Sequence, residues 1–128
     1  HFLAEGITIV MATPYLDEAE RCSRVAMLDN GKLLALDAPG HLRRSVPGTL
    51  LEVVVESPRD ALDALRRRAQ IDSAQVFGDR LHVWYATDDE HEAMREFDQA
   101  SVQAGLSPSS VRRVIPSLED VYISKLSV

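Results

Sequence analysis

Hydrophobic positions along this chain change period several times, and each change predicts an element. Ile7-Thr8-Ile9-Val10-Met11-Ala12 is β-branched without strict polar alternation, the pattern of a strand covered on both faces in a parallel sheet. Such a strand needs neighbours that the chain does not contain. The stretch His1 to Gly6 before it reads as a last helical turn closed by Gly6 as a C-cap. Thr13-Pro14 breaks the strand, and Tyr15 to Arg24 reads as a helix with acids early and arginines late, matching the macrodipole, and with Leu16, Ala19 and Cys22 on the packing side. Val25–Leu28 and Leu33–Leu36 are apolar strands joined through Asn30-Gly31, whose two residues favour the positive φ of a tight hairpin. Asp37 caps a short turn with Pro39 near its start, and His41-Leu42-Arg43-Arg44 leads to the linker Val46-Pro47-Gly48.

Beyond the linker the pattern repeats. Leu51, Val53 and Val55 alternate with Glu52, Val54 and Glu56, as in a strand with one covered face. Pro58 opens a helix with Ala61, Leu62, Leu65 and Ala69 on one side. Strands over Ser73–Phe77 and Leu81–Ala86 flank the turn Gly78-Asp79. Asp88-Asp89-Glu90 starts a second helix, with Ala93, Met94, Phe97, Ala100 and Val102 as its apolar side and Gly105 as its stop. Ser110–Ile115 is a last strand, and Pro116-Ser117 starts a short final helix through Leu118, Val121, Tyr122 and Leu126. The order βαββαβ is that of ferredoxin-like folds, an antiparallel sheet with helices on one face. The predicted class is therefore α+β: a truncated α/β segment over 1–46 followed by a ferredoxin-like domain over 47–128.

Composition narrows the function classes. The chain has 128 residues, 45% hydrophobic and 27% charged, which fits a globular protein. A net charge of −6 gives no basic field to draw nucleic acid, and no apolar run approaches the roughly 20 residues needed to cross a bilayer. Neither nucleic-acid binding nor direct membrane insertion is expected, and a cytoplasmic setting is. The single Cys22 excludes an internal disulfide and is read as a small packing residue. His1, His41, His82 and His91 are scattered without metal-ligand spacing, so no metal site is predicted. Arg66-Arg67-Arg68 points in several directions on a helix among acids and reads as a solvated face. His82, Trp84 and Tyr85 read as core packing plus a surface aromatic rather than a base-stacking platform, since only alternate strand residues share a face.

Two segments carry a resemblance. Gly6-Ile7-Thr8-Ile9-Val10, Thr13-Pro14-Tyr15-Leu16-Asp17-Glu18-Ala19-Glu20, Arg24-Val25-Ala26 and Asp29-Asn30-Gly31-Lys32-Leu33-Leu34-Ala35 resemble, in order and spacing, the end of an ABC-type ATPase domain, closing in a corner like Ala38-Pro39. Ile115-Pro116-Ser117-Leu118-Glu119-Asp120-Val121-Tyr122 resembles the close of the accessory domain that follows many ABC ATPases of drug-export and ABC-2 type. The resemblance implies a parent protein that binds ATP and Mg and drives transport. Its implied partners are the rest of the ATPase domain, a membrane permease subunit and a second ATPase domain, with a homodimer possible through the C-terminal domain. It implies a place at the inner face of the membrane.

In that family a histidine that can reach the γ-phosphate follows the Ser/Thr at the strand end. Here Thr13 is followed by Pro14, which has no side-chain donor and no backbone N–H. The resemblance thus implies a degenerate switch position and impaired hydrolysis, unless Thr13 or a partner subunit substitutes or the register slips. The phosphate loop Gly-x-x-x-x-Gly-Lys-Ser/Thr, the Leu-Ser-Gly-Gly signature and the run ending in Asp-Glu do not occur in the chain. The chain by itself is therefore expected to lack ATPase activity and a bound cofactor. The alternative is a stand-alone ferredoxin-like module that binds a small ligand or dimerises.

Overall fold

In the computed structural model, which describes Gly6 and residues 8–126, the elements in order are α1 (Leu16–Ala19), β1 (Val25–Asp29), β2 (Lys32–Asp37), α2 (Pro39–Ser45), β3 (Thr49–Val54), α3 (Pro58–Arg68), β4 (Ala74–Phe77), β5 (Arg80–Tyr85), α4 (Glu90–Ala104), β6 (Ser110–Arg113) and α5 (Leu118–Leu126). The class is α+β, with two antiparallel sheets. The chain forms two compact units, one running to Arg43 and resuming at Ser117, the other spanning 44–116.

In the first unit β1 and β2 pair around Asn30-Gly31, with Asp29 opposite Lys32. Both turn residues take positive φ, 50° and 76°, the type I′ geometry whose twist suits a two-residue hairpin. The α5 helix belongs to this unit, and the Tyr122 hydroxyl donates to the Leu28 carbonyl at 3.2 Å. Its N-terminus is closed by a reciprocal cap: the Asp120 amide donates to Ser117 Oγ, and the Ser117 amide and hydroxyl donate to Asp120 Oδ2.

Two expectations fail here. Over residues 8–12 no strand forms, and Ile9, Val10 and Met11 are exposed, Val10 at 92%. A strand is stable only on a ladder, and among the described residues none pairs with this run. The preceding turn of helix and Ile7 lie outside the described residues, while Gly6 has the left-handed φ of +81°. The helix expected over Tyr15–Arg24 stops at Ala19; Arg21 and Cys22 then donate to the carbonyls of Glu18 and Ala19, three residues back, a tightening typical of a helix end.

The second unit follows the predicted order closely. Its sheet runs β4-β5-β3-β6 with every neighbouring pair antiparallel. Leu51, Val53, Leu81, Val83 and Ala74 from the strands bury against Ala61 and Leu65 of α3 and Ala93, Phe97, Ala100 and Ala104 of α4. Each fully buried leucine contributes about 1.5–3 kcal/mol relative to exposure. Asp89 caps α4 by accepting from the amides of His91 and Glu92, and Gly105 ends it at φ +71°. Val102 does not join the apolar side and is 74% exposed. The buried line runs Phe97, Ala100, Ser101, Ala104, the i, i+3, i+4, i+7 spacing, and Val102 lies a further 100° round. The last strand is shorter than expected, ending at Arg113, and Ile115 is exposed.

Gly48, in the linker, sits at φ +101°, and a Cβ there would meet the Tyr85 carbonyl oxygen at 2.3 Å. Its amide donates to Asp88 Oδ1, and the next hydroxyl, of Thr49, donates to the Thr87 carbonyl. Only glycine satisfies both the backbone angle and the close approach.

Candidate functional site

The predicted switch position lies just before α1. Pro14 is exposed and Thr13 half-buried. The Thr13 hydroxyl donates to Glu18 Oε1 at 2.8 Å and accepts from the Tyr15 amide at 3.0 Å. Tyr15, the N-cap residue by backbone position, makes no side-chain cap, and the bonds of Thr13 tie its amide to the Glu18 side chain across the start of the helix. Pro14 is thereby held in a short loop tied at both ends. The side chains of Thr13 and Pro14 offer an incoming phosphate little: one has no donor, and the other's only O–H is already given to a carboxylate. From the sequence Glu18 reads only as a helix-start acid, and the signal for its bond is its position five residues after a Thr that precedes a proline.

A second polar constellation lies in the second unit, on the sheet face opposite α3 and α4. Register sets His82 and Arg112 opposite Glu52 on the two strands flanking β3. Arg80 Nη1 donates to Glu52 Oε1 at 2.7 Å, Arg112 Nη2 to the same oxygen at 3.0 Å, and His82 Nε2 lies 3.2 Å from Oε2. Partial burial pushes the Glu52 carboxyl up, but the hydrogen bonds from Arg112, His82 and Arg80 outweigh it and hold the pKa at about 2. The His82 ring stacks on Phe77, with centroids 4.3 Å apart. Four strands are thus tied through one carboxylate and one ring. The groups satisfy one another, so the cluster reads as a fastening of the sheet and not as a site awaiting substrate. The sequence alone shows Glu52 only as a polar position of its strand and does not pair it with Arg112, because the two meet only through the strand register.

The remaining candidates fall out as follows. Tyr85 is on the helix side and buried, while Trp84 is half-buried on the other face, as alternation requires. The Tyr85 hydroxyl is buried without a hydrogen-bond partner among the described residues, and burial, with the charge of Glu96, pushes its pKa up to about 12. Arg66, Arg67 and Arg68 are exposed at the end of α3. An open groove beside them is lined by both signs of charge, Asp60 and Asp63 with Arg67 and Arg68. His41 sits 3.2 Å from Asp37, and His91 is exposed in the first turn of α4; His1 lies outside the described residues. Cys22 is half-buried as a free thiol. Among the described residues no three His, Cys, Asp or Glu side chains gather as metal ligands, and no helix is long and apolar enough to cross a membrane.

No family model matches the chain. Individual proteins do. It is 28% identical over 126 residues to the daunorubicin resistance ATP-binding protein DrrA2 of Streptomyces coeruleorubidus, an alignment covering 94% of this chain and 38% of that protein. It is 28% identical over 131 residues to the probable multidrug ABC transporter ATP-binding protein YbhF of Escherichia coli, covering 98% of this chain and 21% of the relative. Against the Nod factor export ATP-binding protein I of a Rhizobium strain the identity is 30% over 123 residues, with 94% and 37% covered. The chain therefore spans between about a fifth and two fifths of the relatives' length while matching them over nearly all of its own. This chain is homologous to part of the ABC transporter ATP-binding proteins.

Proposed function

We propose that this chain is part of an ABC transporter ATP-binding subunit, which couples ATP binding and hydrolysis to transport through a membrane permease at the cytoplasmic face. The observation that carries the reading is the match of nearly the whole chain to three such proteins from different bacteria. In this reading residues 1–46 are the end of the nucleotide-binding domain. The exposed run Ile9-Val10-Met11 is then the strand that the rest of that domain covers, which accounts for apolar β-branched residues left in water. ATP and Mg belong to the parent protein, and a second ATPase domain completes the pair.

Residues 47–128 contain the accessory domain. The order β4-β5-β3-β6, antiparallel throughout with α3 and α4 packed on the sheet, supports a ferredoxin-like arrangement for its βαββαβ core. Its role is to regulate or to pair subunits, a homodimer included, because the groups of its Glu52 cluster satisfy one another and offer contacts rather than chemistry.

Thr13 and Pro14 form a degenerate switch position. Neither supplies a free side-chain donor for a γ-phosphate, so no step of hydrolysis is assigned to this chain. The test is Pro14→His in the full-length protein. ATP turnover should rise, by roughly tenfold or more if the imidazole restores a contact made in the transition state. Unchanged turnover would mean that another group governs the site, and the switch reading of residue 14 would fall.

A further inference from the structure

We propose that Glu18 is a positioning residue for the switch loop: through Thr13 it fixes the backbone that carries residue 14. The inference rests on the reading of residues 13 and 14 given above and adds a residue to that site.

The geometry is a closed clamp. Thr13 Oγ1 accepts from the Tyr15 amide at 3.0 Å, a two-residue turn that encloses Pro14. The same oxygen donates to Glu18 Oε1 at 2.8 Å, which anchors that turn to the first helical turn of α1. Glu18 is anchored in turn, because its amide donates to the Tyr15 carbonyl at 3.1 Å and its carbonyl accepts from Arg21 at 3.2 Å. The side chains of Thr13 and Glu18 and the backbone of Tyr15 therefore hold one another, and the side chain of residue 14 takes no part in these bonds. The fixed φ of proline adds stiffness at that position without adding a contact. A hydroxyl donating to a carboxylate makes a stronger bond than a neutral pair does.

Two consequences distinguish this from a bystander hydrogen bond. Thr13 is not a substitute phosphate ligand while Glu18 holds its proton. And whatever side chain stands at position 14 is aimed by the clamp, so a restored histidine should act only when the clamp is intact.

The experiment uses the full-length protein with Thr13→Val, Thr13→Ser, Glu18→Ala and Glu18→Gln, each alone and with Pro14→His. Hydrogen exchange at the Tyr15 amide, which donates to Thr13 Oγ1, reads the clamp. Glu18→Ala and Thr13→Val should speed exchange by about three- to tenfold, the loss of one hydrogen bond, while Glu18→Gln and Thr13→Ser keep the acceptor or the hydroxyl and stay near the parent rate. Unchanged exchange in Glu18→Ala overturns the clamp, whatever the enzymology shows. Steady-state ATP turnover reads its use. The gain from Pro14→His should vanish in Pro14→His with Glu18→Ala, with kcat falling and KM for ATP within about twofold, and should survive with Glu18→Gln. A gain that persists without Glu18 overturns the positioning role. If Pro14→His gives no gain at all, the switch reading fails on its own, and exchange still decides whether Glu18 holds the loop.

Discussion

At the scale of single residues, Glu52 is where two guanidinium groups and an imidazole converge on one carboxylate. One carboxylate accepts from Arg80, Arg112 and His82, and its folded pKa of about 2 lies below the ordinary 4.5 of the unfolded chain. A depressed folded pKa contributes stability that is fully present above about pH 4.5 and is lost as pH falls through the folded value, so the window is roughly pH 4.5 down to 2. The side chain is only 14% exposed, which limits screening, but Arg112 is 64% exposed and weakens its share. Glu52→Gln should therefore lower unfolding stability at pH 7 by on the order of 2 kcal/mol. It should also flatten the stability profile between pH 4.5 and 2. Urea melts of parent and variant across that range decide the matter: parallel loss of stability in both proteins would show that Glu52 is not held low.

At the scale of elements, what the sequence made legible was local chemistry with a fixed geometric demand. Asn30-Gly31 announced a hairpin because few other pairs tolerate two positive φ values, and both were found. Pro58, Asp89 and Gly105 marked helix ends for equally local reasons. Misreadings came where a neighbour decides. The run to Ala12 has every intrinsic property of a strand and no ladder to join among the described residues, and Val102 was assigned to a helix face by its apolarity although its angle carries it away. The Glu52 cluster was hidden for the same reason, since three strands must first be aligned. A cap, by contrast, is a local device whose removal has a local price. Asp89 accepts from His91 at 2.9 Å and Glu92 at 3.4 Å, so Asp89→Ala should cost about 1 kcal/mol while Asp89→Asn keeps most of the cap. Thermal melts give the magnitude, and faster exchange confined at first to the His91 and Glu92 amides would identify the cap as its origin.

At the scale of the whole molecule, the grouping of the C-terminal helix with the first unit is the feature the sequence expressed least. Its start was readable from Pro116-Ser117, and Asp120 completes the cap, but no periodicity states which distant surface a helix packs on. The second unit is different, because the hydrophobic cluster between its sheet and α3 and α4 lies wholly between residues 44 and 116. Leu51, Val53, Leu65, Leu81, Val83 and Phe97 form one cluster with the alanines of α4, and the Glu52 network and the Gly48 turn are internal to the same segment. Domains of about 60 residues bury only about 60% of their unfolded surface and are marginal, yet many fold alone when one core is complete. A peptide of residues 44–116 should therefore fold cooperatively, with slow amide exchange in β3 and β5, the two central strands. Truncating the chain after Pro116 should leave that protection in place while loosening the hairpin of β1 and β2, where the Tyr122 hydroxyl meets the Leu28 carbonyl. A peptide 44–116 that gives a collapsed amide spectrum would show that this segment cannot build its core without the rest of the chain. A dispersed spectrum would make it the unit in which Glu52 and Asp89 can be studied apart from the nucleotide machinery.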